Sequence, residues 1–280
     1  MAALINTSTT TQAEMQQPAI QPPAIAFQDV SFSYRPDRVL IDQLSTKIQQ
    51  GCVTSIIGPN GSGKSTLVKL ANGLIKPQRG TVSVAGQNVG HMSAKLRAQT
   101  MAVLAQSMRV PQMSVEALVA CGRHPHQSFR GAPSEHDKAA VERALQLAGV
   151  EDIRTSQMAS LSGGQRQRAF LAMTLAQETD LILLDEPTTY LDIRACHDLM
   201  ELICTLNKTQ QKTIVMVIHD LDLALRYSDR LLVMDKGTLL GEGTTADVMA
   251  SGVIERAFSM EICPHSYRGE QGYVLYPFEG

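Results

Sequence analysis

Three short stretches of this 280-residue chain carry residue types that suit phosphate chemistry. Gly58 to Ser65 reads GPNGSGKS and fits the spacing G-x-x-x-x-G-K-[ST]. A glycine-rich turn between a strand and a helix curls so that successive N–H groups point inward as an anion nest, and the helix N-terminus adds partial positive charge. On this reading Gly58, Pro59, Asn60, Gly61, Ser62 and Gly63 wrap a polyphosphate and Lys64 reaches its β- and γ-phosphates. Ser65 offers a hydroxyl to Mg²⁺, and Thr66 stands within reach of the α-phosphate. Leu181 to Pro187 reads LILLDEP, an apolar run ending in two carboxylates. At the C-terminal end of a buried strand, where ligands bind in doubly wound sheets, Asp185 would hold Mg²⁺ directly or through water. Glu186 would polarise an attacking water as general base. Between these stretches Leu161 to Arg168 reads LSGGQRQR. Ser162, Gly163 and Gly164 can present a hydroxyl and bare backbone N–H groups to an anion, and the helix that begins there, with Gln165 in its first turn, adds its dipole.

Each stretch has a plainer reading: a loop that happens to end in Lys-Ser, acids opening a surface turn, a helix start with a basic first turn. The last does not explain why Gly-Gly should weaken a helix start. Gln106 and His219 each end an apolar strand and so would lie at the same sheet edge as the phosphates. A lone Gln or His there is as readily a structural hydrogen-bonder, and its position, not its type, raises the interest. Tyr34 is an aromatic near a turn after the first strand.

The elements that would place these residues follow from periodicity. Alternation predicts a strand from about Ile25, a strand pair flanking Arg38 and Ile48, a short buried strand over Val53 to Ile57, and a helix from about Lys64 to Leu74. Thr81 to Val84 reads as another strand, and Met101 to Ala105 is a short apolar run ending at Gln106. From Ser114, a plausible N-cap, to about Leu161 the pattern is helical, most strongly over 135–148. Strands return at Leu181 to Leu184, Thr213 to Ile218 and Arg230 to Met234, with helical periods around 165–177, 192–207 and 221–227. Asp235-Lys236-Gly237 reads as a turn between two strands. The alternation predicts an α/β core with a mostly parallel sheet and an inserted helical block.

Residues 1–23, rich in Thr, Gln, Ala and Pro, predict a disordered tail. With 44% hydrophobic residues the rest can bury a sizeable core. A net charge of −2 gives no general nucleic-acid or anionic-membrane footprint. No apolar run is long enough to span a bilayer, and the start lacks the basic-then-apolar pattern of a secretory signal. The five cysteines are scattered without a C-x-x-C pair and predict reduced thiols rather than disulfides or a metal site. His124-Pro125-His126 tempts a metal reading. The intervening Pro disfavours a helical pair and no third ligand is spaced nearby, so a surface or partner contact is favoured.

All three phosphate-site stretches, in this order, resemble the nucleotide-binding subunit of ABC transporters. The resemblance covers about 25 to 250 and implies a P-loop NTPase (RecA-like) core with an antiparallel β subdomain and an inserted α-helical subdomain. The domain over 24–255 would hold that helical subdomain at about 107–162, followed by a C-terminal extension over 256–280. It further implies ATP and Mg²⁺ as cofactors, Gln106 as a Mg²⁺ and water ligand that senses the γ-phosphate, His219 as the switch histidine, and Tyr34 as the aromatic that stacks on adenine. In such proteins two cassettes pack head to tail, so Ser162, Gly163, Gly164 and Gln165 of one copy would close over the nucleotide of the other. Leu191-Asp192 resembles the loop that crosses that two-fold interface. The wording of Gly122 to Gln127 and of Pro187 to Asp192 is similar to ATPases serving iron–siderophore importers, a group that includes haem and cobalamin importers. That implies a homodimer with integral-membrane permease subunits and a periplasmic or lipid-anchored binding protein, at the cytoplasmic face of the inner membrane. Three other classes share the phosphate site. DNA-repair ATPases insert long coiled coils or zinc modules between P-loop and signature, which the short interval here lacks. Translation-factor ATPases carry two cassettes in one chain. Exporter ATPases usually have a fused or neighbouring membrane domain, and the 116–127 wording argues against them.

Overall fold

A computed structural model describes residues 22–127, 132–267 and 270–278. The disorder expected of the N-terminal tail falls on residues outside this set, Pro22 and Pro23 excepted. The centre is a six-stranded sheet built from β3 (Val53–Ile57), β6 (Met101–Leu104), β7 (Leu181–Asp185), β8 (Thr213–Val217), β9 (Arg230–Asp235) and β10 (Thr238–Thr244). Its order is β10-β9-β3-β8-β7-β6, parallel throughout except for β10, which returns antiparallel through the Asp235-Lys236-Gly237 turn. Every residue of β3, β7 and β8 is buried, as strands covered on both faces must be.

The two faces sort by the period of two. Ile214 and Met216 of β8 join one core, shared with α3 (Val115–Cys121), α4 (Glu135–Ala148), α5 (Gly163–Leu175) and α6 (Ile193–Gln210). Val215 and Val217 join another, shared with α1 (Lys64–Ala71) and an antiparallel sheet. That sheet orders β1 (Ile25–Phe32), β2 (Ile41–Ile48), β4 (Arg79–Val84) and β5 (Gln87–Asn88) as β2-β1-β4-β5. Helix α1 is thus held between two sheets by Leu67, Val68 and Leu70, which rigidly sets the loop that feeds it.

Some elements differ from the sequence expectation. In place of a strand pair around Arg38 there is the single strand β2, because Arg35 and Arg38 close a tight turn instead. Helix α1 stops at Ala71, since Gly73 adopts φ 68° and turns the chain away before Leu74. Three short helices carried too little periodicity to be read: α2 (Ala94–Thr100), capped by Ser93, α8 (Thr245–Ala250) and α9 (Val253–Phe258). The chain ends in a hairpin of β11 (Met260–Tyr267) and β12 (Glu270–Pro277), which packs through Ile262, Tyr273 and Leu275 on the helical core. Ser114 caps α3 by accepting from the Ala117 N–H, as its position predicted. No helix among the described residues is long and apolar enough to cross a membrane.

Candidate functional site

Strands β3, β6, β7 and β8 all end at one edge of the central sheet, and each delivers chemistry-bearing residues there. The loop from Gly58 to Gly63 joins β3 to α1. Gly58 sits at φ 149°, and a Cβ on it would stand 2.0 Å from the Met234 carbonyl oxygen of neighbouring β9. Gly63 caps α1 at φ 103°, where a Cβ would strike Ile41 Cδ1 at 2.5 Å. Both positions need glycine, for close approach and for a positive φ that L side chains rarely adopt. The ends of β9 and β2 therefore clamp the loop from behind.

Lys64 is 5% exposed, and its ammonium donates to the carbonyl oxygens of Gly58 at 2.8 Å and Pro59 at 2.9 Å. Burial pushes its pKa down, against the opposing pull of Glu186 and Asp185. Ser65 donates its hydroxyl to Asp185 Oδ1 at 2.8 Å. Burial pushes the Asp185 carboxyl up, more than the Ser65 bond holds it down. Two hard oxygen donors in contact at the foot of a phosphate loop suit a Mg²⁺ ion, which binds through carboxylate, hydroxyl and phosphate oxygens.

Glu186 departs from a free base. It adopts φ 53° and its N–H is held by the Val217 carbonyl at 3.1 Å. One carboxylate oxygen is hydrogen-bonded to His219 Nε2. The other accepts from Gln106 Nε2 at 2.7 Å and from the Thr189 hydroxyl at 3.2 Å. Burial pushes this carboxyl up, yet the bonds from His219, Gln106 and Thr189 together outweigh it and leave the pKa below its ordinary value. The carboxylate is ionised at neutral pH, and its proton affinity rises when those bonds are released. Thr189 was not singled out from the sequence; the signal was a hydroxyl three residues beyond the acid.

Asn60, Gly61, Gly63, Lys64, Ser65, Thr66, Gln106, Glu186 and His219 line one cavity of about 490 Å³, with Thr189, Tyr190 and Leu40. Asp185 lies under it through Ser65, and Ser62 is buried within the loop itself. Tyr34 stands in an adjoining cavity of about 390 Å³, its ring met edge-on by Phe32 at 4.8 Å. Ser162, Gly163, Gly164, Gln165 and Asp192 do not line the phosphate-loop cavity, although Gly163 lines a neighbouring cavity of about 210 Å³ with Gln106, Glu186, Thr189 and Tyr190. Ser162 and Gln165 close a reciprocal capping box at the start of α5. Asp192 caps α6 through the Ala195 N–H at 2.8 Å. Beside them Tyr190 and Ile193 are 92% and 81% exposed, large apolar side chains standing in water.

The stretch around His124 is mostly scaffolding. A Cβ on Gly122 would stand 2.2 Å from the Met173 carbonyl oxygen, so this glycine lets α3 and α5 meet. Arg123, 2% exposed, bonds Asp137, Glu178 and the Ala176 carbonyl. His126 engages the Gln177 carbonyl at 2.9 Å. Among the described residues no three His, Cys, Asp or Glu gather as a metal site.

A family model described as ABC transporter matches residues 41–189. The chain is 41% identical to the iron(3+)-hydroxamate import ATP-binding protein of Bacillus subtilis (strain 168), over 80% of this chain and 84% of that one. It is 40% identical to the ferric enterobactin transport ATP-binding protein of Escherichia coli (strain K12), over 78% and 81%. Among solved structures, a dimeric ATP-binding cassette in a post-hydrolysis state with ADP and Pi superposes with a TM-score of 0.69 at 27% identity. That match covers 79% of this chain and 98% of the other.

Proposed function

This chain belongs to the ABC transporter family as one of its ATP-binding, ATP-hydrolysing subunits, and from that premise we propose that it powers import of an iron(III)-siderophore across the inner membrane. The observation that carries the reading is the convergence of the phosphate loop, Gln106, Glu186 and His219 on one cavity, with Asp185 bonded to Ser65 beneath it. Relatives named for hydroxamate and enterobactin transport supply the cargo class.

Within that reading the loop N–H groups, Lys64 and Thr66 hold the triphosphate of ATP, and Tyr34 stacks on the adenine. Ser65, Asp185 and Gln106 would hold Mg²⁺, which supplies charge neutralisation for phosphoryl transfer. Glu186 orients and deprotonates the attacking water once His219 and Gln106 turn from its carboxylate to the nucleotide. Ser162, Gly163, Gly164 and Gln165 act on the nucleotide of a second copy. Ser162, Gly164 and Gln165 line neither cavity that Glu186 lines in their own chain, which supports that pairing, as do the water-exposed Tyr190 and Ile193 beside Asp192. The paired subunits sit at the cytoplasmic face against two integral-membrane permease subunits. A periplasmic or lipid-anchored binding protein delivers the chelate, and Mg-ATP closing and reopening the pair switches the permease between its two openings.

Uptake of a panel of labelled ferric chelates, haem and cobalamin in a strain lacking this chain tests the reading. Loss of one ferric chelate, restored by the wild-type chain and not by Glu186→Gln, is the expected result. Loss of haem or cobalamin uptake alone would replace the cargo, and intact uptake of every compound would overturn import.

A further inference from the structure

A separate cavity of about 230 Å³ lies at the opposite edge of the central sheet, where β7 and β8 begin. It shares no lining residue with the phosphate cavity. One wall is a stripe of α4 in which Ala140, Arg143, Ala144 and Leu147 are neighbours on one helix face. Leu175 at the end of α5 and Ile182 of β7 complete the apolar lining. The two alanines carry only a methyl each and leave the stripe hollow.

Two cations from separate elements stand on this lining, Arg143 of α4 and Lys212 just before β8. Among the described residues Arg143 has one side-chain partner, Glu178 Oε1 at 2.6 Å, and Lys212 has one, Asp180 Oδ1 at 3.2 Å. A guanidinium and an ammonium carry several more N–H donors than these two contacts use. The Lys212 side chain is 15% exposed, whereas Asp180 stands fully in water and does not line the cavity. Glu178 is also engaged by Arg123 at 2.8 Å and His136 at 2.9 Å, both at its other oxygen. The Thr174 and Thr179 hydroxyls donate to the Phe170 and Leu181 carbonyls. The cavity therefore pairs an apolar lining with a surplus of cationic donors.

We propose that this cavity binds a small amphiphilic monocarboxylate, its carbon body on Ala140, Ala144, Leu147, Leu175 and Ile182 and its carboxylate on Arg143 and Lys212. Inorganic phosphate would set a larger charge against hydrocarbon. An amine would find Glu178 already engaged by Arg123, Arg143 and His136. A neutral hydrocarbon would strip water from both cations without replacing it. Size limits the carbon body. An apolar cavity of about 150 Å³ takes benzene, so this one takes roughly nine non-hydrogen atoms. The bound acid touches the helical block through α4 and α5 and the sheet through β7, and so braces one against the other.

A methyl NMR titration of the purified full chain with hexanoate tests this, beside acetate, which has only the charge, and hexan-1-ol, which has only the body. Hexanoate should shift the Leu147, Leu175 and Ile182 methyl signals saturably, with a Kd of about 1 mM or below. Acetate and hexan-1-ol should each bind at least about fivefold more weakly. The double variant Arg143→Gln/Lys212→Gln should weaken hexanoate about tenfold and change hexan-1-ol less than about twofold. No saturable shift by about 10 mM hexanoate would overturn the proposal. Equal binding of hexan-1-ol would leave the cations idle, and equal binding of acetate would leave the apolar lining idle; either result overturns it. So would a double variant that binds hexanoate as wild type does, or shifts confined to methyls outside the cavity. The comparison of the three ligands needs only wild type. The variant keeps Arg123 and His136 on Glu178, and a melting temperature within about 2 °C of wild type would establish that it is folded.

Discussion

At the residue scale the site lowers the proton affinity of two groups below their solution values. Glu186 is kept ionised by donors that also occupy its lone pairs, so it is positioned before it is active. Glu186→Gln preserves shape and most hydrogen bonding but removes the basic oxygen. Turnover should fall by about 10²-fold or more while nucleotide affinity is retained. Steady-state phosphate release alongside equilibrium binding checks both halves, and turnover at the wild-type rate would remove Glu186 from the base role. Lys64 is the second such group. Burial lowers its pKa, so the charged form is held at a cost to the fold throughout the neutral range. Its Gly58 and Pro59 partners offset part of that cost. Lys64→Met fills similar space without the charge, so the melting temperature should stay level or rise. ATP affinity should drop about 30-fold or more for want of the phosphate counter-charge. A variant that melts much earlier would mean the lysine is chiefly structural.

At the scale of elements, one buried cation ties α3 to α4 and to the segment after α5, beside the apolar core these helices share with the sheet. Arg123, at the end of α3, bonds Asp137 on α4 at 2.9 Å and, beyond α5, the Ala176 carbonyl at 2.7 Å and Glu178 at 2.8 Å. Removing one partner of a buried pair leaves the others uncompensated, so Arg123→Met should lower the melting temperature by roughly 5–10 °C. The pH dependence has a definite sign. Hydrogen bonds from Arg123 and then Ser134 hold the Asp137 carboxyl well below its ordinary value of 3.8. A depressed folded-state pKa contributes stability that is complete above the unfolded value and fades as pH falls through the folded one. The melting gap between wild type and Arg123→Met should therefore be constant from about pH 8 to 5 and narrow below about pH 4. Calorimetry across that range checks it, and a gap that widens with acid would reject Asp137 as the main partner. This clasp was invisible in the sequence, where Arg123 stood in a stretch that drew attention to its histidines. Side-chain partners 14 and 55 positions apart leave no periodic trace. The strands were legible for the opposite reason: β3, β7 and β8 are short runs rich in Ile, Val and Leu, and the helix periods around them are local. Short elements such as α2, α8 and α9 give too few turns for a period to show. In the candidate site the glycines, Lys64 and the paired acids could be read because backbone geometry constrains them. That Gln106 and His219 share the Glu186 carboxylate depends on strand order, which no spacing reveals.

At the scale of the whole molecule, two anion-presenting segments have opposite fates. The phosphate loop faces a cavity with Gln106, Glu186 and His219, while Ser162 and Gly164 line neither that cavity nor the one at Tyr34. In the proposed pair each chain would give its loop to one nucleotide and its Ser162 to the other, the isologous arrangement of a two-fold pair. Mixing two inactive variants distinguishes this from a one-chain site. Lys64→Ala and Ser162→Arg should each lack ATPase activity alone. In a mixed pair, the Ser162→Arg chain supplies an intact Lys64 and the Lys64→Ala chain an intact Ser162, so one of the two composite sites is whole. With random exchange about half the pairs are mixed, and activity should recover to at most about one quarter of wild type. Recovery should require both proteins and rise with the concentration of the limiting one. If each chain worked alone, mixing would restore nothing, because every chain would still carry its own defect. Recovery beyond half of the wild-type rate would show that one lesion is not disabling, which separate assays of each variant would already reveal.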